Sequence, residues 1–126
     1  MPKYRLSVKS WDRLKTCDRK LWGLVFDVLE FMDITVTCGY RCKEDQEKAF
    51  EQGKSKAHFG ESKHNSWPSK AVDIVPCKPI NWDAKDPRWE IMCNIVEYFA
   101  KQKGINIKLG RDFKDLKDYP HIELVE

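Results

Sequence analysis

The sequence has no long apolar segment. None of the hydrophobic runs in its 126 residues approaches the length of about 20 residues that a membrane-spanning helix needs. The first residues, Met1-Pro2-Lys3-Tyr4-Arg5, lead into mixed polar sequence instead of the apolar core of a signal peptide. We therefore expect no stable association with a membrane, and a protein that is made in a cytoplasm and stays there.

The sequence also lacks a recognisable disulfide framework. Its five cysteines are odd in number and scattered, which favours free thiols: Cys17, Cys38, Cys42, Cys77 and Cys93. Cys38 and Cys42 resemble half of a zinc knuckle, but no second pair of Cys or His at suitable spacing completes it. We predict packing roles for these thiols.

No charge of one sign dominates the chain. The 23 basic and 20 acidic residues leave a net charge of +3 that is spread along the whole sequence. This balance favours approach to an anionic surface only weakly, and it does not predict nucleic-acid binding. We interpret the lysine-containing runs 43–48 and 101–103 as solvated faces.

The pattern of apolar residues predicts a mixture of helices and strands. Helical spacing in the first third indicates one or two amphipathic helices, with Ser10 as a cap and a break near Cys17-Asp18; the apolar positions are Trp11, Leu14, Leu21, Leu24, Val25, Val28, Leu29 and Met32. Further helices are predicted over 44–52, ended by Gly53, and after Asp86-Pro87, ended by Gly104. In the latter, Trp89, Met92, Ile95, Val96 and Phe99 should face the core.

Short strands are predicted over 34–37, 71–75, 105–109 and 121–125, and long loops over 54–70 and 77–85. Gly39 should permit the turn that places Arg41 at a strand end. No repeat, low-complexity segment or linker divides the chain, whose length is that of one domain. We expect an α+β fold in a single domain spanning 1–126, with an antiparallel sheet flanked by helices.

Four residues form the most informative pattern in the chain. His64, Asp73 and His121 offer three metal ligands, and Asp118 offers a fourth carboxylate that need not ligate. A catalytic zinc is typically held by three such side chains, leaving a position open for the water that it activates. Asp73 lies in a β-branched run typical of a strand, where a buried carboxylate needs compensating positive charge.

The surrounding residues resemble a known group of enzymes. The carriers of the resemblance are Ser62-x-His64, Ala71-x-Asp73 and Asp118-x-x-His121, with Gly39-Tyr40-Arg41, Asp45-Gln46, Gly53-Lys54-Ser55-Lys56 and Gly110-Arg111-Asp112-Phe113. From Ile34 to the C-terminus the chain resembles the LAS-type zinc peptidases of the M15 family. Within that family it is most similar to single-domain phage endolysins that act as L-alanyl-D-glutamate peptidases.

The resemblance implies a fold, a function and roles for particular residues. The fold would be LAS/hedgehog-like, with a Zn2+ site on the sheet face formed by His64, Asp73 and His121. Asp118 would be the general acid/base, Arg41 would pair with a substrate carboxylate, and Ser62 would orient substrate or a ligand. The function implied is cleavage of peptidoglycan stem peptides by a monomeric phage enzyme that lyses its host.

Two features depart from the family pattern. His64 and Asp73 are nine positions apart, two more than in the tightest form of the motif, and the extra residues around Pro68 should loop out without moving the ligands. Phe113 stands where a tryptophan is common, which should alter packing more than chemistry. Because of both changes, the family pattern does not predict the shape of the substrate pocket in this chain.

Several alternatives stay open at this point. A D-alanyl-D-alanine carboxypeptidase or dipeptidase could use the same site, and a binding module could keep zinc as structural support. Glu123 could partner a ligand or act as the base instead of Asp118.

The flanking residues also have ordinary interpretations. Arg41 could pair with Glu44 or Asp45, Ser62 could be a plain loop hydroxyl, and His58 is interpreted as an ordinary histidine. Among the tryptophans, Trp67 is the candidate for a sugar-binding groove, whereas the spacing of Trp89 favours the core.

Overall fold

The computed structural model describes residues 2–125. Its first third forms two helices, α1 (Val8–Leu14) and α2 (Arg19–Leu29), so the break predicted near Cys17-Asp18 is confirmed. Asp18 caps α2 by accepting a hydrogen bond from Lys20 N at 2.9 Å. The cap predicted for α1 is wrong: Ser7 holds that position, accepting from Ser10 N at 3.1 Å.

Ser10 instead lies inside α1 and is buried. Its hydroxyl accepts a hydrogen bond from Val36 N at 3.0 Å. Val36 belongs to the first strand, β1 (Ile34–Cys38). The serine therefore ties the first helix to the sheet.

Three further strands complete an antiparallel sheet: β2 (Ala71–Pro76), β3 (Ile107–Leu109) and β4 (His121–Leu124). The strand order is β1-β2-β4-β3, and the register places Asp73 beside both Cys38 and His121. The third strand is shorter than predicted. Ile105 N donates a hydrogen bond to Ala100 O at 2.9 Å, at the end of the preceding helix, and so Ile105 does not pair with a neighbouring strand.

The remaining helices are α3 (Lys43–Glu51) and α4 (Pro87–Lys103). Asp86 caps α4 by accepting from Arg88 N at 2.9 Å, Pro87 occupies its first turn, and Gly104 ends it with a φ of +67°. Trp89, Met92 and Val96 of this helix are fully buried, as predicted. Ile95 and Phe99 are partly buried against the same core.

The core lies between the sheet and the helices packed on it. Alternate residues of the central strands, such as Val72, Ile74, Ile122 and Leu124, are buried in this core. Since successive side chains of a strand point to opposite faces, Asp73, His121 and Glu123 lie on the other face. The predicted α+β fold with an antiparallel sheet and flanking helices is confirmed.

The loop predicted over 54–70 contains a short 3-10 helix, Lys63–Asn65. The extra residues after it do project outward at Trp67 and Pro68, which are exposed and joined by a cis peptide bond. Ser69, in contrast, is buried; its N–H donates to Thr16 O at 2.8 Å and its carbonyl accepts from Asp18 N at 2.9 Å. The longer segment is thus fixed to the turn between the first two helices.

No helix within residues 2–125 combines the length and the apolar character that a bilayer crossing requires.

Candidate metal centre

Asp73 lies between the two histidines that the sequence singled out. Its Oδ1 atom is 3.2 Å from His64 Nε2 and 3.2 Å from His121 Nδ1. The histidines come from different parts of the chain, one from the 3-10 helix in the long loop and the other from the start of β4. Both are buried, and the fold therefore brings the three sequence-selected residues together.

The outer nitrogens of both imidazoles are fixed by acceptors. His64 Nδ1 is 2.8 Å from the carbonyl oxygen of Gly39, and His121 Nε2 is 2.8 Å from Glu123 Oε1. A carbonyl and an ionised carboxylate only accept hydrogen bonds, so these two ring nitrogens carry protons. In the neutral imidazoles the lone pairs then lie on the inner nitrogens, which both face Asp73.

The charges in this cluster stabilise one another. Burial disfavours a charged His64, but the Asp73 carboxylate outweighs it and raises the pKa of His64 to about 10. Burial likewise opposes a charged His121, while hydrogen bonds to Asp73 and Glu123 raise its pKa to about 9. Burial would raise the pKa of Asp73, yet the adjacent histidines hold it well below its ordinary value. Without a metal, the cluster is therefore a buried anion held between two imidazolium groups.

Asp118 approaches the same point from the loop before β4. One carboxylate oxygen of Asp118, one of Asp73 and a ring nitrogen of His121 all lie within 4.8 Å of one another. Asp118 N donates to Gly110 O at 2.9 Å, and Asp118 O accepts from His121 N at 3.0 Å. Desolvation and then the negative charge of Asp73 raise the pKa of Asp118, although the residue is exposed at the rim of the site.

Gly110 makes this approach possible. A Cβ atom at that position would overlap the carbonyl group of Asp118 and would lie 2.9 Å from His121 Cβ. Gly39 has a similar role at the other end of the site, since a Cβ there would overlap Arg13 O. The turn after β1 therefore needs glycine because the chain packs closely there. The sequence analysis predicted that backbone freedom was the reason, and this is wrong: Gly39 is not among the positive-φ glycines within residues 2–125.

Arg41 lies beside the cluster. Its Nη2 atom is 3.9 Å from Asp73 Oδ2 and 3.5 Å from Cys38 Sγ, and its Nη1 donates to Gln46 Oε1 at 3.0 Å. Among the described residues, neither Glu44 nor Asp45 forms an ion pair with it. The guanidinium is thus directed at the site, where a forked donor can meet a carboxylate.

Ser62 acts through the backbone of the 3-10 helix. Its hydroxyl accepts a hydrogen bond from His64 N at 3.2 Å, while the side chain of Asn65 accepts from Ser62 N at 3.1 Å. This reciprocal cap fixes the turn that carries His64.

Sequence reasoning missed two residues of the site. Gln46, which the sequence analysis named only among the carriers of the resemblance, is fully buried and accepts a hydrogen bond from Arg41 Nη1. Cys38, assigned to packing, has its sulfur 3.6 Å from His64 Nδ1 and belongs with His64 and Asp73 to a second group of potential metal donors. Its position at the end of β1, before Gly39, could have indicated this.

The aromatic residues divide as the sequence indicated. Trp89 is buried in the core, whereas Trp67 is 69% exposed and packs edge-on against Tyr40, with ring centroids 5.2 Å apart. Phe113 lies at the site, with its ring centroid 5.5 Å from that of His121. Phe113 therefore forms a wall of the site on the side of β4.

The donor set fits a divalent metal such as zinc. Two imidazole nitrogens and a carboxylate oxygen lie close together, as the ligands of a zinc ion do. The outer ring nitrogens are already hydrogen-bonded to Gly39 and Glu123, and Asp118 adds a further carboxylate nearby. The structure therefore contains a possible metal-binding group built from the residues that the sequence selected.

Comparisons with known proteins agree with this geometry. The family model for phage L-alanyl-D-glutamate peptidases matches residues 2–125. Peptidoglycan L-alanyl-D-glutamate endopeptidase CwlK of Bacillus subtilis (strain 168) is 30% identical over 105 residues, covering 75% of this chain and 62% of CwlK. This chain thus spans less than two thirds of that relative.

The crystal structure of the Serratia marcescens L-Ala D-Glu endopeptidase ChiX shares the fold, with a TM-score of 0.80. The match covers 98% of this chain and 92% of ChiX, and the two sequences are 23% identical. The resemblance noted in the sequence is confirmed by the family match. This chain belongs to the phage L-alanyl-D-glutamate peptidase family.

Proposed function

We propose that this protein is a zinc-dependent peptidase that cleaves the L-alanyl-D-glutamate bond of peptidoglycan stem peptides, with residues 1–126 acting as one peptidase domain. The observation that carries the proposal is the convergence of His64 Nε2 and His121 Nδ1 on the same oxygen of Asp73, 3.2 Å from each. Family membership, and the activity named for CwlK and ChiX, support the choice of bond.

His64, Asp73 and His121 would hold the metal. A zinc ion bound there supplies Lewis-acid polarisation of a carbonyl oxygen and makes a water molecule more acidic. The protein contributes a fixed orientation of each imidazole, because Gly39 and Glu123 hold the nitrogens that face away from Asp73.

Asp118 is the proposed general acid/base. Its carboxylate lies near Asp73 and His121 but at the exposed rim, where substrate and water can reach it. It would accept a proton from the water that attacks the alanyl carbonyl carbon, then donate that proton to the glutamyl nitrogen as the C–N bond breaks. In the metal-free protein, burial and the charge of Asp73 raise the pKa of this carboxyl group above its ordinary value.

Arg41 would bind a carboxylate of the stem peptide. The guanidinium is permanently charged, faces the metal cluster and is held by Gln46. Ser62 would support His64 through the cap of its 3-10 helix.

The biological role that we infer is lysis of a bacterial host by a phage. The family name supports this role. In this proposal the enzyme accumulates in the host cytoplasm as a monomer and reaches the cell wall after the membrane is permeabilised.

The test is mass spectrometry of the products formed from purified peptidoglycan, with zinc-loaded and chelated protein side by side. The proposal predicts new D-Glu N-termini and freed L-Ala carboxyl ends, lost on chelation and restored by zinc. Release of D-Ala would instead identify a carboxypeptidase. Intact peptides in the presence of bound zinc would identify a binding module.

A further inference from the structure

Gln46 is the only buried residue of α3, and its side chain has no exposed surface. Its amide oxygen accepts hydrogen bonds from Arg41 Nη1 at 3.0 Å and from Asn65 Nδ2 at 3.2 Å. Its amide nitrogen donates to Ser55 Oγ at 3.0 Å and to Ala57 O at 2.7 Å. These bonds use both lone pairs of the oxygen and both N–H groups, so Gln46 cannot itself bind a substrate.

Two of these partners fix the direction of the amide. The Arg41 guanidinium only donates hydrogen bonds, and the Ala57 carbonyl only accepts them. If the amide were reversed, its nitrogen would face the guanidinium and its oxygen would face the carbonyl, and both bonds would be lost. The loop after α3 therefore keeps the oxygen of Gln46 directed at Arg41.

The acceptors that orient the guanidinium are an amide and a thiol. Besides the bond to Gln46, Arg41 Nη2 donates to Cys38 Sγ at 3.5 Å. Asp73 Oδ2 lies 3.9 Å from the same nitrogen, which is beyond hydrogen-bond distance, and Asp73 Oδ1 faces the two histidines. The side chain of Arg41 is 20% exposed at the site. Its charge can therefore still be used by a carboxylate of the substrate.

The backbone of Arg41 is fixed independently of Gln46. Arg41 N donates to His64 O at 2.8 Å, and Arg41 O accepts from Asn65 Nδ2 at 3.1 Å. Loss of the Gln46 amide would therefore leave this main chain tied to the 3-10 helix, while the guanidinium would lose its shortest hydrogen bond. An arginine side chain that is not held loses more conformational entropy when it binds a carboxylate.

We propose that Gln46 is a positioning residue, which holds the guanidinium of Arg41 in the orientation that receives a carboxylate of the stem peptide. The proposal rests on the peptidase function proposed above. It assigns Gln46 no contact with the substrate, so the effect of Gln46 on binding passes through Arg41. A glutamine that only stabilised the fold would affect the binding of charged and uncharged peptides alike.

The test is calorimetric binding of γ-D-glutamyl-L-lysine to the zinc-loaded protein, with the carboxyl groups of the peptide either free or both converted to amides. This dipeptide lacks the L-alanyl-D-glutamate bond, so binding is measured whether or not the protein cleaves peptidoglycan. The variants are Gln46→Met, Arg41→Met and the double variant that combines them. Gln102→Met is the matched control, since it removes an exposed amide from α4. Urea unfolding and zinc affinity show whether each variant is folded and loaded.

In the wild type and the control, the free carboxylates should strengthen binding about tenfold over the diamide, the size expected for a charge-assisted hydrogen bond. This preference should fall to about twofold in Gln46→Met, because the guanidinium is still present but no longer held. It should be absent from Arg41→Met and from the double variant. Binding of the diamide should be the same in Gln46→Met as in the wild type.

Equal weakening of both peptides by Gln46→Met would show a purely structural role and would overturn the proposal. The same holds if Gln46→Met weakened binding of the free peptide further when Arg41→Met is already present. An unchanged preference in Gln46→Met, or a wild type without a preference, would also contradict the proposal, while cleavage of peptidoglycan is tested separately by its products.

If Gln46→Met does not fold, Ser55→Ala decides the question, because it removes one acceptor of the Gln46 amide nitrogen and leaves the glutamine in place. A reduced preference for the free carboxylates in this variant would support the proposal. A preference equal to that of the wild type would overturn it.

Discussion

Glu123 Oε1 lies 2.8 Å from His121 Nε2, on the side of the imidazole ring that faces away from Asp73. The hydrogen bond from His121 lowers the pKa of Glu123, so the carboxylate stays ionised as an acceptor near neutral pH. We therefore expect Glu123 to orient His121, the proposed metal ligand, and we do not expect it to act as the catalytic base.

The first prediction concerns this partner. Glu123→Gln keeps the shape of the side chain but removes its charge, so we expect zinc affinity to fall by about 10- to 100-fold. Zinc affinity would be measured by competition with a chromophoric chelator. Asp118→Asn is the matched control, since it removes a carboxylate from the same site without touching His121 Nε2, and its zinc affinity should stay close to that of the wild type.

The second prediction concerns the proposed acid/base. Asp118→Asn should lower kcat by about 100- to 10,000-fold, because an amide cannot accept the proton from the attacking water. In the wild type, kcat/KM should fall at acid pH as Asp118 becomes protonated, and this acid limb should be absent from the profile of Asp118→Asn. Full activity of Asp118→Asn would mean that Glu123 or another group is the base.

The third prediction concerns the close approach at Gly110. An alanine Cβ would overlap the Asp118 carbonyl, so Gly110→Ala must displace the loop carrying Asp118. We expect a loss of about 1–3 kcal/mol in the free energy of unfolding, measured with urea, together with a lower kcat. Gly23→Ala is the matched control, because its Cβ would meet only the flexible end of Lys103 at 3.3 Å in a helix that alanine favours.

The fourth prediction concerns the metal-free protein at different pH values. In the folded state the pKa values of His64 and His121 are raised from 6.5 to about 10 and about 9, so the folded state binds more protons than the unfolded chain. Their contribution to stability is fully present below pH 6.5 and is lost as the pH rises through 9 and 10. The lowered pKa of Asp73 adds stability above its ordinary value of 3.8 that is lost in more acidic solution.

Urea unfolding of chelated protein should therefore show a decline in the free energy of unfolding from pH 6.5 to pH 10. The His64→Ala variant should show a shallower decline. The stabilisation that zinc confers should increase over the same range, because zinc and protons compete for the same nitrogens. Constant stability of the chelated wild type across this range would contradict the charge arrangement derived above.

The sequence predicted the elements and the central residues of the site because their signals are local. Apolar spacing located α2 and α4, and the pattern around Asp73 and His121 located two neighbouring strands before any register was known. The family resemblance predicted that His64 would lie beside Asp73. The apolar pattern could not predict this, because the loop that carries His64 has no periodic spacing.

The parts that were missed depend on contacts between distant segments. Ser10 was assigned as a cap because serine is common there, but its hydroxyl bonds to Val36 on another element. The burial of Gln46 depends on Ser55, Ala57 and Asn65 folding around it, and no spacing in the sequence encodes that arrangement. The need for glycine at Gly39 likewise arises from the approach of Arg13, far away in the chain.

The most direct test of the account is a zinc titration of chelated protein, with cleavage of a stem peptide containing the L-alanyl-D-glutamate bond measured at each step. The account predicts that activity rises in proportion to added zinc and reaches its plateau at one equivalent per chain, while His64→Ala stays inactive throughout. Full activity of the metal-free wild type, or wild-type activity of His64→Ala, would contradict it.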